Sequence, residues 1–469
     1  MAGIDTRIVI IGLPQVAVQL NADPEQLIWI TQSYVLATTV TLLLIGRLAD
    51  IFGRTRIFTA GFAIFTIGSG LTSLGQNPFQ VIVFRAVQGI GAALILTNAI
   101  AIITDTTPKN RLGLAVGINQ ISFRAGAVIG LTLSGVILSF LDWRALFYIN
   151  LPIGILGTFW SNHSLKEVAD LEKGAKIDWL GFIAFFVFIL NLLLVFTFGA
   201  YGLSQNETII YALLAISIVS LAGFLLRQRK TKYPLLDLSI FKNRDFTGGI
   251  LAILLNAIAW AAVLLLLSLE FQLSRHSTPL QAGIEILPFE IAFLATGPLS
   301  GYLSDKYGHI RFTTSGLALS SAALVLFYTT STGAPYALLA FNMILLGLGT
   351  GLFLAPNIRT IMDSIPPKRR GIGSATMLLF FNMGLTLSLN VALLVMSLTA
   401  PYSLISKIIS TINPANISPS EIAVFSESLK NTYLWLAVIN SAAIVPLIMR
   451  VKKKKLSSNE DEKLQEVVA

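Results

Sequence analysis

The feature that most limits the fold of this chain is a series of apolar stretches, each of about 20 residues, along almost the whole sequence. A helix of that length crosses the ~30 Å hydrocarbon layer of a bilayer with its backbone hydrogen bonds satisfied internally. Charged residues make up only 12% of the chain, about half of their share in a typical soluble domain. The sequence therefore predicts an all-α membrane protein rather than two or three soluble domains.

Hydropathy predicts fourteen transmembrane helices when glycine, proline and charged residues are taken as their boundaries. The predicted spans are residues 4–20, 27–45, 56–75, 79–103, 112–140, 144–162, 178–199, 207–226, 246–270, 281–303, 311–331, 335–361, 371–398 and 431–449. The first span begins almost at Met1 and contains Asp5 and Arg7. Either this helix is unusually short or the natural start codon lies upstream, and we favour the second interpretation.

The basic residues alternate between loops in a way that predicts the orientation of the spans. Most of the 33 lysine and arginine residues fall in every second loop and in the tail. The opposite loops contain only Arg144, Arg275, Lys407 and Lys430. Basic loops remain on the cytoplasmic side, so we expect a multi-pass protein of the plasma membrane with both termini cytoplasmic. Topology thus explains the net charge of +9 without a nucleic-acid partner.

Two segments of the first half of the chain recur in the second half. GRLADIFGRTR at residues 46–56 matches GYLSDKYGHIR at residues 301–311, with glycine, aspartate and arginine at the same spacing. GIGAALILTNAIAIITDTTPKNRLG at residues 89–113 matches GLGTGLFLAPNIRTIMDSIPPKRRG at residues 347–371. Repeats in the same orientation are typical of transporters built from two similar halves.

The first repeated segment carries the candidate residues of a conformational switch. They are Gly46, Asp50, Gly53, Arg54, Arg56, Gly301, Asp305, Gly308 and Arg311. A short turn bounded by glycine lets two helices approach closely, and an acid at the end of a span can pair with arginines nearby. We expect this pairing to form and break as the two halves move. The alternative is that these charges only mark the edge of the membrane.

The repeat divides the chain into four parts. Residues 1–162 and 246–449 are predicted to be two pseudosymmetric six-helix bundles. Residues 163–245 have no partner in the repeat and are predicted to be two inserted transmembrane helices with cytoplasmic loops. Residues 450–469 are predicted to be a disordered, charged cytoplasmic tail.

These motifs resemble those of the major facilitator superfamily, and in particular its fourteen-helix drug:proton antiporter branch. Residues 46–56 resemble the signature G-x-L-a-D-r-x-G-r-[RK], and RAVQGIGAA at residues 85–93 resembles the R-x-x-Q-G-x-G-a motif that the family ties to proton coupling. IDTRIVIIGLP at residues 4–14 and WRALFYINLPIG at residues 143–154 resemble segments of the first and sixth spans in that branch. The resemblance implies the major facilitator fold and proton-coupled export of small, hydrophobic or drug-like compounds by alternating access.

One motif departs from the family pattern. Antiporters usually carry G-P-x-x-G-G in the fifth span, where this chain has GAVIGLTLSG at residues 126–135, with Leu131 and Ser134 at the proline position and one glycine position. Since the family links this motif to export, a proton symporter or uniporter that imports a small metabolite remains the alternative. The predicted helix-packing glycines of the fourth and fifth spans are Gly89, Gly91, Gly126, Gly130 and Gly135.

Ionisable side chains inside the spans are costly and are functional candidates by default. Arg85 has no obvious acidic partner nearby in the sequence and lies about one helical turn from Gln88. Its permanent charge would link the occupancy of a proton or cation site to the conformation, or it would cap carbonyl groups of a neighbouring helix. Asp5 and Glu290 are candidate proton carriers because burial disfavours the charged form of a carboxyl group. Arg124 is expected to pair with Asp5, with Glu290 or with an anionic substrate.

The sequence offers no support for an enzyme. It contains no cysteine, and its histidines, His163, His276 and His309, fall in separate loops. It also lacks a phosphate-binding P-loop and a G-x-S-x-G nucleophile motif. We therefore expect a monomer without cofactor or metal, whose partners are a small-molecule substrate, protons and the lipid bilayer.

Overall fold

The computed structural model describes residues 1–22, 24–167, 171, 174, 176–200, 207–277, 279–330, 334–401, 404–405, 408 and 418–448. The predicted tail, residues 450–469, lies outside these ranges.

The described residues form helices joined by short connections, and they contain no β-strand. The helices are α1 (Ala2–Leu20), α2 (Pro24–Phe52), α3 (Arg54–Ser73), α4 (Pro78–Thr106), α5 (Leu112–Phe140), α6 (Arg144–Tyr148), α7 (Asn150–Ser164), α8 (Trp179–Ala200), α9 (Glu207–Lys230), α10 (Arg244–Ser274), α11 (Pro279–Glu285), α12 (Leu287–Tyr307), α13 (His309–Thr329), α14 (Tyr336–Asp363), α15 (Arg370–Ser397) and α16 (Pro419–Ala442). Within the described ranges, ten helical segments are long and apolar enough to cross a membrane. The prediction of an all-helical, multi-pass membrane protein is confirmed, and the count of fourteen spans stays a prediction.

Local sequence signals explain where several of these helices begin and end. Asn77 caps α4 by accepting a hydrogen bond from the amide of Gln80 at 2.9 Å, and proline follows at the first helical position. Gly53 (φ 107°) separates α2 from α3, and Gly308 (φ 90°) separates α12 from α13. Both have positive φ, which residues with a Cβ rarely adopt. The repeated glycines therefore make the same sharp turn twice.

The last described helix begins earlier than the sequence predicted. We placed its start at residue 431, with Lys430 in the preceding loop, whereas α16 begins at Pro419 and contains Lys430. Ser418 and Glu421 form a capping box, in which each side chain accepts a hydrogen bond from the other residue's amide, at 3.3 and 2.8 Å. The boundary was wrong because the polar first turns of α16 hide the helix from a hydropathy scan.

The chain folds into two compact units that do not follow a single cut of the sequence. Unit 1 consists of Met1–Pro108, Ile118–Leu238 and Ile365–Leu379, and unit 2 consists of Lys109–Gly117, Ser239–Ser364 and the chain from Phe380. The start of α15 thus belongs to unit 1, and the start of α5 belongs to unit 2. Helices α8 and α9 pack against each other, and α8 packs against α2.

Small residues allow close helix packing at equivalent positions of the two units. In unit 1, Gly89 of α4 lies against the backbone of α2 at Tyr34, and Gly91 lies against α3 at Phe65. In unit 2, the glycines at the repeated positions of α14 pack in the same way. Gly347 lies against the backbone of α12 at Phe289, and Gly349 lies against the backbone of α13 at Ser320. Such contacts are a main source of helix association in lipid. Of the predicted packing glycines of α5, Gly126 and Gly130 lie against Ile4 of α1.

Candidate functional site

A buried carboxylate lies at the centre of a polar network in unit 1. Arg85 of α4 donates to Asp5 of α1 at 2.6 Å between Nη1 and Oδ2, and the two side chains are 3% and 0% exposed. The same Nη1 donates to Oε1 of Gln88 at 2.6 Å, while Nε2 of Gln88 donates to Oδ1 of Asp5 at 2.7 Å. An ion pair removed from water to this extent requires such additional hydrogen bonds to offset its desolvation.

Two further side chains complete the network. Asn150, the first residue of α7, donates through Nδ2 to Oδ1 of Asp5 at 3.2 Å and to Oγ of Ser69 at 3.0 Å. Ser69 of α3 also accepts from Gln88 at 3.2 Å and donates to the carbonyl oxygen of Phe147 at 3.1 Å. The Asp5 carboxylate therefore accepts hydrogen bonds from three different side chains. The carbonyl oxygen of the Asn150 side chain is buried and, among the described residues, receives no hydrogen bond.

Aromatic rings cover the guanidinium group of Arg85. Its Cζ lies 4.3 Å from the centre of the Tyr34 ring and 5.8 Å from that of Phe147. Its Nε donates to the carbonyl oxygen of Ile30 at 3.4 Å. The rings provide a cation–π contact and keep the pair away from solvent. Arg85 thus has contacts with α2 and with Phe147 in addition to its ion pair with Asp5.

The structure brings together three of the five residues predicted for proton coupling. Arg85 has no acidic neighbour in the sequence, but α1 supplies Asp5 as its partner, 80 residues away. The capping role considered for Arg85 also has a basis, since it donates to Ile30. Arg124 is buried in α5, and Glu290 is buried in the first turn of α12 in unit 2. Sequence analysis missed Ser69, and it considered Asn150, which lies within the motif at residues 143–154, only as one of several polar residues inside the spans.

Asp50 of α2 binds the start of α15, and we name this contact the first clasp. Its carboxylate oxygens accept hydrogen bonds from the backbone amides of Gly371 and Ile372, each at 2.9 Å. These amides lie in the first turn of α15, where helical N–H groups have no partner within the helix and where the helix dipole favours negative charge. Asp50 is fully buried. It therefore acts as an anionic cap for a helix that starts far away in the sequence.

Arginines surround the first clasp and balance its acids. Arg54, the first residue of α3, donates to Asp50 at 2.8 Å, to Asp105 and to the carbonyl oxygen of Pro367 at 2.7 Å. Arg370 donates to Asp105 at 2.8 Å. The four side chains Asp50, Arg54, Asp105 and Arg370 are at most 14% exposed. The predicted pairing of Asp50 with a nearby arginine is present, whereas Arg56 is exposed at the surface.

Asp305 of α12 makes the equivalent second clasp in unit 2. Its carboxylate accepts hydrogen bonds from the backbone amides of Gly113 and Leu114, in the first turn of α5, at 3.1 and 3.2 Å. Its arginine partner is Arg359 of α14, with 3.0 Å between Nε and Oδ1, since His309 occupies the position that corresponds to Arg54. Arg359 also donates to the carbonyl oxygens of Ser304 and Lys109 at 3.3 and 3.1 Å. Sequence analysis assigned no role to Arg359 and placed Arg311 in the switch, but Arg311 is exposed.

Both clasps depend on glycine at the bound amide. A Cβ on Gly371 would lie 2.5 Å from Oδ1 of Asp50 and 2.6 Å from the carbonyl oxygen of Gly46. A Cβ on Gly113 would lie 2.7 Å from Oδ1 of Asp305. These distances are far shorter than van der Waals contact. A side chain at either position would therefore push the helix start away from the carboxylate.

Comparison with known proteins finds a family and relatives that match most of this chain. The sequence pattern of the Major Facilitator Superfamily matches residues 1–236 and 246–409. The riboflavin transporter RibZ of Clostridioides difficile (strain 630) is 30% identical over 390 residues, which cover 82% of this chain and 83% of that protein. Multidrug resistance protein 3 of Bacillus subtilis (strain 168) is 30% identical over 393 residues, covering 83% of this chain and 76% of that protein.

Solved structures show the same fold at much lower sequence identity. The proton:xylose symporter XylE, solved with 6-bromo-6-deoxy-D-glucose, has a TM-score of 0.63 and 15% identity, and the match covers 96% of this chain and 92% of that chain. The human organic anion transporter MFSD10 has a TM-score of 0.59 and 12% identity, over 93% of this chain and 88% of that chain. Taken with the family pattern and the 30% identical relatives, these matches show that the chain belongs to the major facilitator superfamily of membrane transporters.

Proposed function

We propose that this chain is a proton-coupled antiporter that exports small, hydrophobic or drug-like compounds by alternating access. The observation that carries the proposal is the Asp5–Arg85 pair, which is buried and hydrogen-bonded by Gln88, with Asn150 donating a further bond to Asp5. The similarity to multidrug resistance protein 3 supports export of drug-like compounds. Within the same proposal, the protein belongs to the fourteen-helix drug:proton antiporter branch and acts as a monomer in the plasma membrane, with both termini cytoplasmic.

Protonation of Asp5 would change the network in a defined way. The carboxylate accepts three hydrogen bonds, so a proton on either oxygen displaces a donor and removes the attraction for Arg85. Arginine stays charged, and an uncompensated buried charge costs several kcal/mol. Unit 1 would therefore favour a different arrangement of α1 and α4 when Asp5 is protonated. We propose that this difference couples the proton to transport, with Arg124 and Glu290 as further buried charges on the pathway.

We propose that the two clasps are the switch that alternating access requires. Each carboxylate accepts hydrogen bonds from backbone amides at the start of a helix. When that helix moves away, the amides become exposed to water, and water can replace the lost hydrogen bonds. Such contacts can form and break without leaving unsatisfied groups. Both acids are paired with arginine, so the residual charge is balanced in either state.

An importer of a small metabolite remains the second candidate. The altered fifth-span motif, with Leu131 in place of proline, favours import, and the 30% identity to the riboflavin transporter RibZ favours a small metabolite as the substrate. Coupling through Asp5 and Arg85 serves either direction, because the direction of flux depends on which side the substrate and the proton leave.

Reconstituted vesicles with an imposed pH gradient would separate the two candidates. We expect a lipophilic cation such as ethidium to move against a proton flow, and the internal pH, read with a trapped fluorescent dye, to change when substrate is added. Riboflavin serves as the metabolite probe. Movement of riboflavin in the same direction as protons, without movement of ethidium, would favour the importer, and substrate movement without any proton flux would refute both forms of coupling.

Arg359 provides a test of the second clasp. Replacing Arg359 with alanine should lower the transport rate roughly threefold to tenfold, because Asp305 is 6% exposed and loses its charged partner. Adding His309→Arg, which restores the arrangement of the first clasp, should recover part of the rate. The matched control is Lys109→Gln, since the Lys109 side chain is 81% exposed and exposed pairs contribute little. Initial rates per amount of reconstituted protein are the measurement, and an unchanged rate in Arg359→Ala would refute the role.

A further inference from the structure

The middle of the connection from α9 to α10 is buried, which is unusual for a loop. Leu235, Leu236 and Asp237 are 0%, 7% and 7% exposed, whereas connecting segments normally run over the surface because buried backbone groups need partners. We refer to residues 233–238, all in unit 1, as the strap. Its burial means that it packs against specific groups and is not a passive linker.

The middle of the strap is hydrogen-bonded to the inserted helices α8 and α9. Oε1 of Gln228, near the end of α9, accepts hydrogen bonds from the backbone amides of Leu235 and Leu236 at 2.7 and 3.2 Å. Nε2 of Gln228 donates to Asp178, just before α8, at 3.2 Å, and Arg227 donates to the same carboxylate at 2.7 Å. Gln228 is 4% exposed. One buried amide side chain therefore joins both inserted helices to the backbone of the strap.

On either side of Leu235 and Leu236, the strap reaches both partners of the first clasp. Asp237 accepts a hydrogen bond from Nη1 of Arg369, two residues before Gly371. The ring of Tyr233 lies 5.6 Å from Cζ of Arg47, which is on α2 one turn before Asp50. In the repeat, Arg111 corresponds to Arg369. The Asp237–Arg369 ion pair, in which the two side chains are 11% and 44% exposed, thus belongs to the clasp that lies beside the inserted helices.

We propose that the strap holds the start of α15 in register with Asp50, with Asp237 as the positioning residue and the α8–α9 pair as its anchor. This inference rests on the proposed switching role of the clasps. It gives the two inserted helices, which the repeat leaves without a counterpart, a function in transport: they stabilise the clasped state of unit 1. Weaker contacts of the strap would shorten the lifetime of the clasped state, and stronger contacts would slow the departure of α15 from Asp50.

Cysteine labelling tests the proposal directly, because the natural chain has no cysteine. Ser374 of α15 is fully buried and donates to the carbonyl oxygen of Thr97 at 2.9 Å. In a Ser374→Cys protein in membranes, the rate of reaction with N-ethylmaleimide should therefore report departure of the α15 start. Ser320→Cys, at an equally buried serine in unit 2, is the matched reporter for general loosening.

We expect Asp237→Asn to raise the labelling rate at position 374 roughly threefold to tenfold, as for loss of a partly exposed ion pair, and to leave position 320 unchanged. Gln228→Ala should act in the same direction and add little to Asp237→Asn, since both act through the strap. Asp237→Glu, and the charge exchange Asp237→Arg with Arg369→Asp, should return the rate towards that of the parent. Asp245→Asn, an exposed acid eight positions further on, is the control substitution.

The outcomes separate this inference from the proposed function. If Asp50→Asn raises labelling at position 374 and Asp237→Asn does not, the strap has no positioning role and the clasp remains. If neither raises it, the clasp does not hold α15 and both ideas fail. A rise at both reporters, or no recovery with the charge exchange, would mean that Asp237 only supports folding and would overturn the proposal.

Discussion

Replacing Arg85 with alanine should abolish net efflux driven by a pH gradient while the protein remains in the membrane. The substitution removes the charged partner of a fully buried carboxylate, and breaking such a pair costs about 3–5 kcal/mol. Without a cationic partner, a buried carboxyl group favours its neutral form. A carboxyl group that never releases its proton cannot couple, so the expected loss of gradient-driven flux is about a hundredfold or more.

Replacing the other member of the pair, Asp5, should have a different consequence. Asp5→Asn leaves Arg85 buried with its charge, and arginine cannot lose its proton. We therefore expect lower amounts of folded protein, together with residual transport that no longer depends on pH. In Asp5→Asn with Arg85→Gln, both charges are absent, so folding should recover but coupling should not. This double variant is the control that separates a structural ion pair from a proton site.

The measurement is the initial rate of efflux at several external pH values, with internal pH fixed and protein amount determined in each preparation. The parent should export faster as external pH falls, because protons enter in exchange for substrate. All three variants should give flat profiles. A double variant that keeps the parent's pH profile would show that the proton is carried elsewhere, and Glu290→Gln would then be the next substitution to measure.

The sequence predicted the helices well because their signals are local. Long apolar stretches, positive-φ glycines such as Gly53 and Gly308, and caps such as Asn77 all act within a few residues. The start of α16 was missed because a capping box followed by polar turns carries no hydropathy signal. The repeat also indicated which glycines pack, since Gly89 and Gly347 make equivalent contacts in the two units.

The polar networks were only partly predictable, because they depend on which helices become neighbours. Asp5 and Arg85 were each recognised as costly charges within spans, but nothing in the sequence joins α1 to α4. The repeat suggested that the second clasp lacks an arginine, because His309 stands at that position. The structure instead supplies Arg359 from α14, one helix further along the chain. Periodicity places a side chain on a face of its helix and cannot identify the partner that faces it.

The two clasps should respond unequally to the same substitution, with Asp50→Asn the more damaging. Asp50 is fully buried and accepts two amides at 2.9 Å together with Arg54. Asp305 accepts its amides at 3.1 and 3.2 Å. Asparagine has the same shape as aspartate, but its amide group would face N–H donors, and it loses the charge that the helix start favours. We expect transport to fall about a hundredfold in Asp50→Asn and by less than about tenfold in Asp305→Asn.

Gly371→Ala tests the first clasp without altering a charge. Its added methyl group would lie 2.5 Å from the Asp50 carboxylate, so the start of α15 must move away even though every ionisable group remains. If the clasp is a switch, Gly371→Ala and Asp50→Asn should lower transport to a similar extent, and the two together should be little worse than either alone. If Asp50 only marks the membrane edge, Asp50→Asn should transport at the parent's rate. A large effect of Gly371→Ala alone would then reflect packing against Gly46, which Gly46→Ala, on the opposite side of the same contact, should reproduce.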